Sequence, residues 1–521
     1  MSTPSLPAQH GPQAVVLKRP KKAPKVDFGH WMRRVLEECV RAGADFAPDP
    51  VHDLRVALRR CRSIADGMKA VDPDPVWKAM KRAGKSVFQS LGELRDVQVM
   101  AEWVRRLGSA DDPETRALLE LLAGREVERR MRAAEALKAF DQHQWRKWSR
   151  ELPPRAARVR RGSAVFKHLA LERWSEAYEL HRQAMRNRSQ VSFHRLRIGI
   201  KRFRYLVENF LPQQHAAWST DLKELQDLLG EVHDLDVLWT AALAVNAFAG
   251  EESRMRWHEI VQAERNQRLA AYRARMLGPS SLWRVWRAKL PRGEQVQAAL
   301  LERLRLWASI LDPDPMHSRR VAELAGQLFD ALGELGMNPV DWASLRPVLF
   351  AAALMQDVGR SRHERGHHKT SYRLIHKLAP PLGWSARELQ MAAAVARFHR
   401  GALPRSRHPA LQPLPAKLRR PVMHLAGVLR LANALDLCQE GTAQPLKVED
   451  DKAAVIVHAP GFERLGRVAE EVAAARYLLE VVLGRPILIQ SEKSKPRSQT
   501  ASKNRVRRAQ ANGTRSLAKT A

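Results

Sequence analysis

Residues 52–62 read HDLRVALRRCR, and residues 194–204 read HRLRIGIKRFR. Aligned without a gap, both strings begin with histidine and carry Arg or Lys at offsets 3, 7, 8 and 10. The first copy supplies His52, Arg55, Arg59, Arg60 and Arg62; the second supplies His194, Arg197, Lys201, Arg202 and Arg204. In a helix turning about 100° per residue, offsets 0, 3, 7 and 10 fall within roughly an 80° stripe, with offset 8 beside it. A charged face that is only structural mixes signs at i,i+4 spacing, whereas Asp53 is the one acid inside either string. Arginine offers a rigid fork of donors matched to phosphate oxygens, and lysine adds a mobile point charge. Histidine gains a proton readily beside a phosphate. Two such stripes therefore predict an anion carrying many phosphates.

A second marker makes the pair an internal repeat. Residues 91–99 read LGELRDVQV and residues 229–237 read LGEVHDLDV, each following its basic string at a similar distance. Around both markers, apolar residues recur at spacings of three and four, as in FGHWMRRVLEECV from residue 28, which predicts amphipathic helices. APDP at 47–50 and DPDP at 72–75 punctuate them. The expected fold is mainly α: two repeated helical bundles over about 27–150 and 160–290, with PPRAARVRR at 153–161 as the connection. Lys81, Arg82 and Lys85 extend the cationic surface into the next helix of the first copy.

Composition sets the partner class. The 521 residues carry 89 Lys and Arg against 56 Asp and Glu, a formal charge of +33, which favours polyanions. Three cysteines without metal spacing suit a reducing compartment. No apolar run approaches the length of a membrane span or a signal peptide, so a cytoplasmic protein without a membrane partner is expected. Residues 1–26 and 491–521, rich in Lys, Arg and small polar residues, are expected to be disordered basic tails offering nonspecific contacts to nucleic acid.

The repeated H-x-x-R-x-x-x-[RK]-[RK]-x-R helix, with its later L-G-x-x-x-D-x-x-V, resembles the CHAD domain (conserved histidine α-helical domain) over 27–290. The resemblance implies paired helical bundles around a basic cavity that binds inorganic polyphosphate, with His52, His194 and the stripe cations as ligands, and it implies location at polyphosphate granules. Two positions depart between the copies: Gln98 stands where the second copy has Asp236, and His233 where the first has Arg95. Both are expected to be inter-helix contacts.

Residues 300–490 have a different texture. His317, Gln356-Asp357, His367-His368, His399 and Asp436 form an ordered series, a donor set able to hold divalent metal and activate water for phosphoester hydrolysis. The series resembles the HD superfamily. The fuller strings HHKTSYRLI, ARFHRG and LRLANALD look like the C-terminal domain of exopolyphosphatase/guanosine pentaphosphate phosphohydrolases. This resemblance implies a helical HD-like domain ending in a small α+β element, with a hairpin turning at Asp450-Asp451, and names His317, Asp357 and Asp436 as the metal candidates. Gln356 replaces the defining histidine, and the actin-like domain on which those relatives carry catalysis is not found in these 521 residues. The expectation is a polyphosphate-binding protein that requires no cofactor, rather than an enzyme. Two alternatives stay open. One is a metal-dependent HD-type phosphohydrolase acting on polyphosphate or nucleotide polyphosphates, with a divalent metal in the HD-like domain. The other is a nonspecific nucleic-acid binder, which the scarcity of aromatics near the stripes disfavours: Phe203 and Tyr205 flank the second, and none lies within the first.

Overall fold

The computed structural model describes residues 27–244, 248–438 and 445–491. Both expected tails lie outside these residues, except Ser491. The first repeat folds as α1 (Phe28–Asp45), α2 (Pro48–Met68), α3 (Val76–Ala83), α4 (Lys85–Leu107), α5 (Pro113–Lys138) and α6 (Gln142–Ala157). The second folds as α7 (Ala164–Asn187), α8 (Gln190–Phe210), α9 (Pro212–Ala244) and α10 (Glu251–Met276), followed by α11 (Leu282–Ala288) and α12 (Glu294–Leu311). Each basic string thus sits in one helix, α2 or α8, and each second marker in another, α4 or α9. The expected connection begins later than its prolines: Pro153 and Pro154 lie inside α6, where Leu152 is buried, and the chain leaves the helix only after Ala157.

The remainder comprises α13 (Pro315–Glu334), α14 (Arg346–Met355), α15 (His367–His376), α16 (Ala386–Arg397), α17 (Ala416–Leu435), β1 (Lys447–Asp451), β2 (Ala454–Ala459), α18 (Arg467–Leu483) and β3 (Ile487–Ser491). β1 pairs antiparallel with β2, from Lys447 opposite His458 to Asp451 opposite Ala454. β3 pairs parallel with β2, Val455 opposite Ile487, after the crossover through α18. The hairpin forms, but its turn lies one step beyond the expected acids. Asp450 and Asp451 end β1, and Lys452 takes the left-handed backbone (φ 38°). Arg485 holds Asp450 there through two hydrogen bonds.

The described residues gather into two compact units that do not follow chain order: 27–66, 76–160 and 230–269 form one, and 67–75, 161–229 and 270–491 the other. In the first, Val104, Leu118, Leu122, Leu235 and Trp257 from α4, α5, α9 and α10 close a core. Asp112 caps α5 and also accepts from Arg256 and from Trp257 Nε1.

In the second unit, Phe166 stacks on Phe210 at 4.1 Å, and only glycine fits at position 67, where a Cβ would sit 2.3 Å from the Phe210 ring. Apolar residues of α12 to α18 and β2 to β3 build the other core of this unit. One acid joins the second repeat to this region: Glu172 Oε1 accepts from Arg303 (2.7 Å) and from the Leu382 amide (2.9 Å). His168 Nε2 lies 2.8 Å from the Leu382 carbonyl. Among the described residues, no helix is long and apolar enough to cross a membrane.

Candidate functional site: two cationic faces and a polar pocket

The α2 face is built on aromatics from neighbouring helices. Phe88 at the start of α4 carries two guanidiniums, Arg62 at 4.9 Å and Arg55 at 5.6 Å from the ring centroid. Trp31 on α1 carries Arg60 at 5.1 Å. These rings are the residues that reading the string by itself could not find, because they come from elsewhere in the chain. Their faces are occupied by arginine, so they act as seats for the forks. Gly92 ties the first string to its marker, since a Cβ there would meet Arg55 Nη1 at 2.8 Å, whereas a Cβ at the equivalent Gly230 would meet nothing within 4 Å. Arg62 donates to the Lys81 carbonyl (2.6 Å), and burial draws its pKa below the ordinary arginine value. Lys81 is engaged with Asp66 at 2.6 Å, while His52, Arg82 and Lys85 are exposed.

On α8, capped by Ser189, His194, Arg197 and Lys201 occupy successive turns. Burial, then the charges of Arg197 and Lys201, push the His194 pKa below the usual histidine range. Arg197 Nε is buried without a hydrogen-bond partner, and Arg202 is exposed. Phe203 is fully buried in the core, so it offers no stacking surface. Of the divergent second-marker positions, Gln98 donates to Glu126 on α5 (3.0 Å) and Asp236 accepts from Arg265 on α10 (2.7 Å), both between helices, whereas Arg95 donates to Glu102 (3.0 Å) within α4, against the expectation.

The C-terminal region brings its ordered series into one polar cluster, with a partition the sequence does not reveal. His317 and Asp436 pair at 2.7 Å, but Arg320 donates to both oxygens of the same carboxylate at 2.8 and 2.9 Å. Three of the roughly four acceptor sites of Asp436 are therefore taken within the protein. His317 Nε2 contacts Asn433 Oδ1 (3.1 Å), which also accepts from Gln356 (3.2 Å). Burial opposes charge on His317, yet Asp436 outweighs it and raises the pKa. Among the three metal candidates from the sequence, Asp357 alone belongs to the group able to hold an ion, which it forms with His367 and His399.

The bonding of that trio defines its chemistry. His367 Nδ1 faces the Glu364 carbonyl at 3.0 Å, and His399 Nδ1 faces the Ala396 carbonyl at 2.8 Å. Carbonyls only accept, so each Nδ1 carries the hydrogen and each neutral ring presents Nε2 as an acceptor. Those nitrogens lie 3.3 Å apart, and 3.0 and 3.7 Å from Asp357 Oδ1. Three acceptors this close need a cation among them. A proton on His367 is one solution: burial opposes it, but the bond to Asp357 raises the pKa. A divalent ion is the other, and two imidazole nitrogens with one carboxylate oxygen suit borderline metals. Buried His399 is held down to about 3, chiefly by burial. The trio and Asn433 border a cavity of about 500 Å³ that Arg360, Arg400 and Arg430 also line.

Comparison with known proteins finds two family matches. The CHAD domain family matches residues 27–243, and the family described as Ppx/GppA phosphatase, domain III, matches residues 306–458. Among solved structures, the chain is similar to the crystal structure of the CHAD domain from the plant Ricinus communis. Identity is 23% and the TM-score 0.37, over 51% of this chain and 90% of that one. Comparison with curated proteins returned no match. The chain joins a CHAD domain to a region of the Ppx/GppA phosphatase domain III family.

Proposed function

We propose that this protein binds inorganic polyphosphate through the cationic faces of α2 and α8, with Arg55, Arg59, Arg60, Arg62, Arg197, Lys201, Arg202 and Arg204 as the principal contacts. The observation that supports this most is on α8. His194, Arg197 and Lys201 share one face of the helix, where burial and then the two cations hold down the proton affinity of the histidine, a like-charge arrangement that a polyphosphate chain relieves. Phosphate binding should therefore move the His194 pKa upward, and titration of its ring by NMR with and without polyphosphate tests this. An unmoved pKa at saturating polymer would sink the reading. Each phosphate contact releases counterions, so affinity should fall steeply with salt, by analogy with nucleic acid, and longer chains should bind tighter. Transfer RNA that displaces long polyphosphate efficiently at about 150 mM salt would favour nucleic acid instead. A polymer binder of this kind belongs at polyphosphate granules, which imaging of a fluorescent fusion would test.

A second reading is favoured by the acceptor trio: a single divalent ion held by Asp357, His367 and His399. Three protein donors leave positions for water, and a bound metal supplies Lewis acidity and a lowered water pKa. Around it, Arg360, Arg400 and Arg430 would orient a phosphate. One Mn, Fe or Zn per chain, lost in Asp357→Ala together with phosphate release, would favour the phosphohydrolase. In the binding protein of the first reading, the same region holds the polymer without cutting it.

A further inference from the structure

Asp357 lies outside the helices proper, between the end of α14 and a single 3-10 turn at Val358–Ser361. Its Oδ1 faces His367 and His399. Its Oδ2 lies 3.8 Å from His317 Nε2 and 3.9 Å from Arg360 Nη1, beyond hydrogen-bond reach. The carboxylate therefore depends on its main chain for its place.

One side chain holds that main chain. Ser371 Oγ donates to the Gln356 carbonyl at 2.6 Å and accepts from the Gly359 amide at 2.9 Å. The Gln356 carbonyl belongs to the peptide that enters Asp357, and the Gly359 amide lies two residues beyond it, so one hydroxyl brackets the carboxylate. Ser371 and Gln356 are fully buried. Glycine at 359 permits the approach: a Cβ there would overlap the His367 carbonyl and stand 2.6 Å from the Ser371 amide nitrogen. Ser371 and His367 lie one turn apart on α15, so the hydroxyl ties Asp357 to the helix that carries its histidine. Helix preference does not account for a serine inside this ten-residue helix, where alanine is the better helix former.

We propose that Ser371 is the positioning residue of the ion site: its hydroxyl clamps the turn that bears Asp357 onto α15, so that one divalent cation can be shared with His367 and His399. This rests on the reading of that trio as a single-ion site. Arg360, which borders the same cavity, sits on the clamped turn, so the hydroxyl also sets the place of a cation able to meet phosphate. Groups that orient metal ligands from behind typically carry about 10- to 100-fold in metal affinity.

Visible absorption of Co²⁺ titrated into the full chain reads affinity and coordination together, and Asp357→Ala identifies the signal of this site. Ser371→Ala should keep a cooperative melt, bind Co²⁺ about 10- to 100-fold more weakly, and shift the cobalt absorption bands. Gly359→Ala, which forces the turn away from α15, should do the same. Glu172→Ala loosens the same unit through Arg303 and the Leu382 amide and should keep the wild-type affinity and spectrum. A loss there as large as in Ser371→Ala would make the effect one of general stability and overturn the clamp. Cobalt binding in the wild type that Ser371→Ala leaves unchanged would overturn the clamp alone. A wild-type chain that takes up no cobalt would overturn the ion site and the clamp with it.

Discussion

Gly92→Ala should weaken polyphosphate binding while leaving the fold intact or slightly firmer. Gly92 lies inside α4, where alanine is worth about 1 kcal/mol over glycine in helix propensity. The added Cβ would sit 2.8 Å from Arg55 Nη1 and 3.7 Å from Cζ, the far end of a flexible side chain that can swing aside. Leaving Phe88 forfeits a cation–π contact of about 0.5–1 kcal/mol. The stability balance therefore runs from about zero to +0.5 kcal/mol. Affinity behaves differently, because a hydrogen bond to a charged group contributes about 1.5–3 kcal/mol and depends on where the fork sits. The charge itself remains, so a loss of roughly tenfold is expected, with the salt dependence unchanged. Filter binding with polymer of defined length, beside a thermal melt, measures both. Unchanged affinity in a variant that melts normally would refute the idea that Phe88 and Gly92 place Arg55 for phosphate.

Glu172→Ala should be destabilising by about 3 kcal/mol in urea melts, because it strands the largely buried Arg303 and the Leu382 amide; a loss below 1 kcal/mol would contradict the role given to this acid. His424 is buried beside Trp342, its Nε2 has no hydrogen-bond partner, and burial followed by the Arg420 charge holds its pKa down to about 4. The unfolded chain then binds the extra proton between about pH 6.5 and 4, so stability falls with acidification through that window; His424→Phe should flatten the slope, and an unchanged slope would count against it. Arg320→Ala should free Asp436, shift the His317 titration seen by NMR, and leave binding by the α2 face unchanged.

The repeat was legible because helical pitch turns sequence offsets directly into a face, and two copies at the same offsets are hard to produce by packing alone. What lay under the face was not legible. Phe88 and Trp31 come from other helices, so the absence of aromatics within the first string said nothing about the rings its arginines rest on. In the C-terminal region the residue types were visible, but their grouping was not. Arg320 follows His317 by three residues on α13 and donates to both oxygens of Asp436, whereas His367 and His399 reach Asp357 because α15 and the end of α16 pack together. The hairpin turn moved to Lys452 because strand pairing carried both aspartates to the end of β1.

The central claim is tested most directly by comparing wild type with Arg55→Glu/Arg197→Glu for binding to long-chain polyphosphate across a salt series. Both substitutions reverse partly exposed stripe positions. The account predicts a drop of at least about a hundredfold, from two lost charged contacts, and a shallower dependence of log affinity on log salt. Wild-type affinity and salt slope in a folded double variant would contradict it.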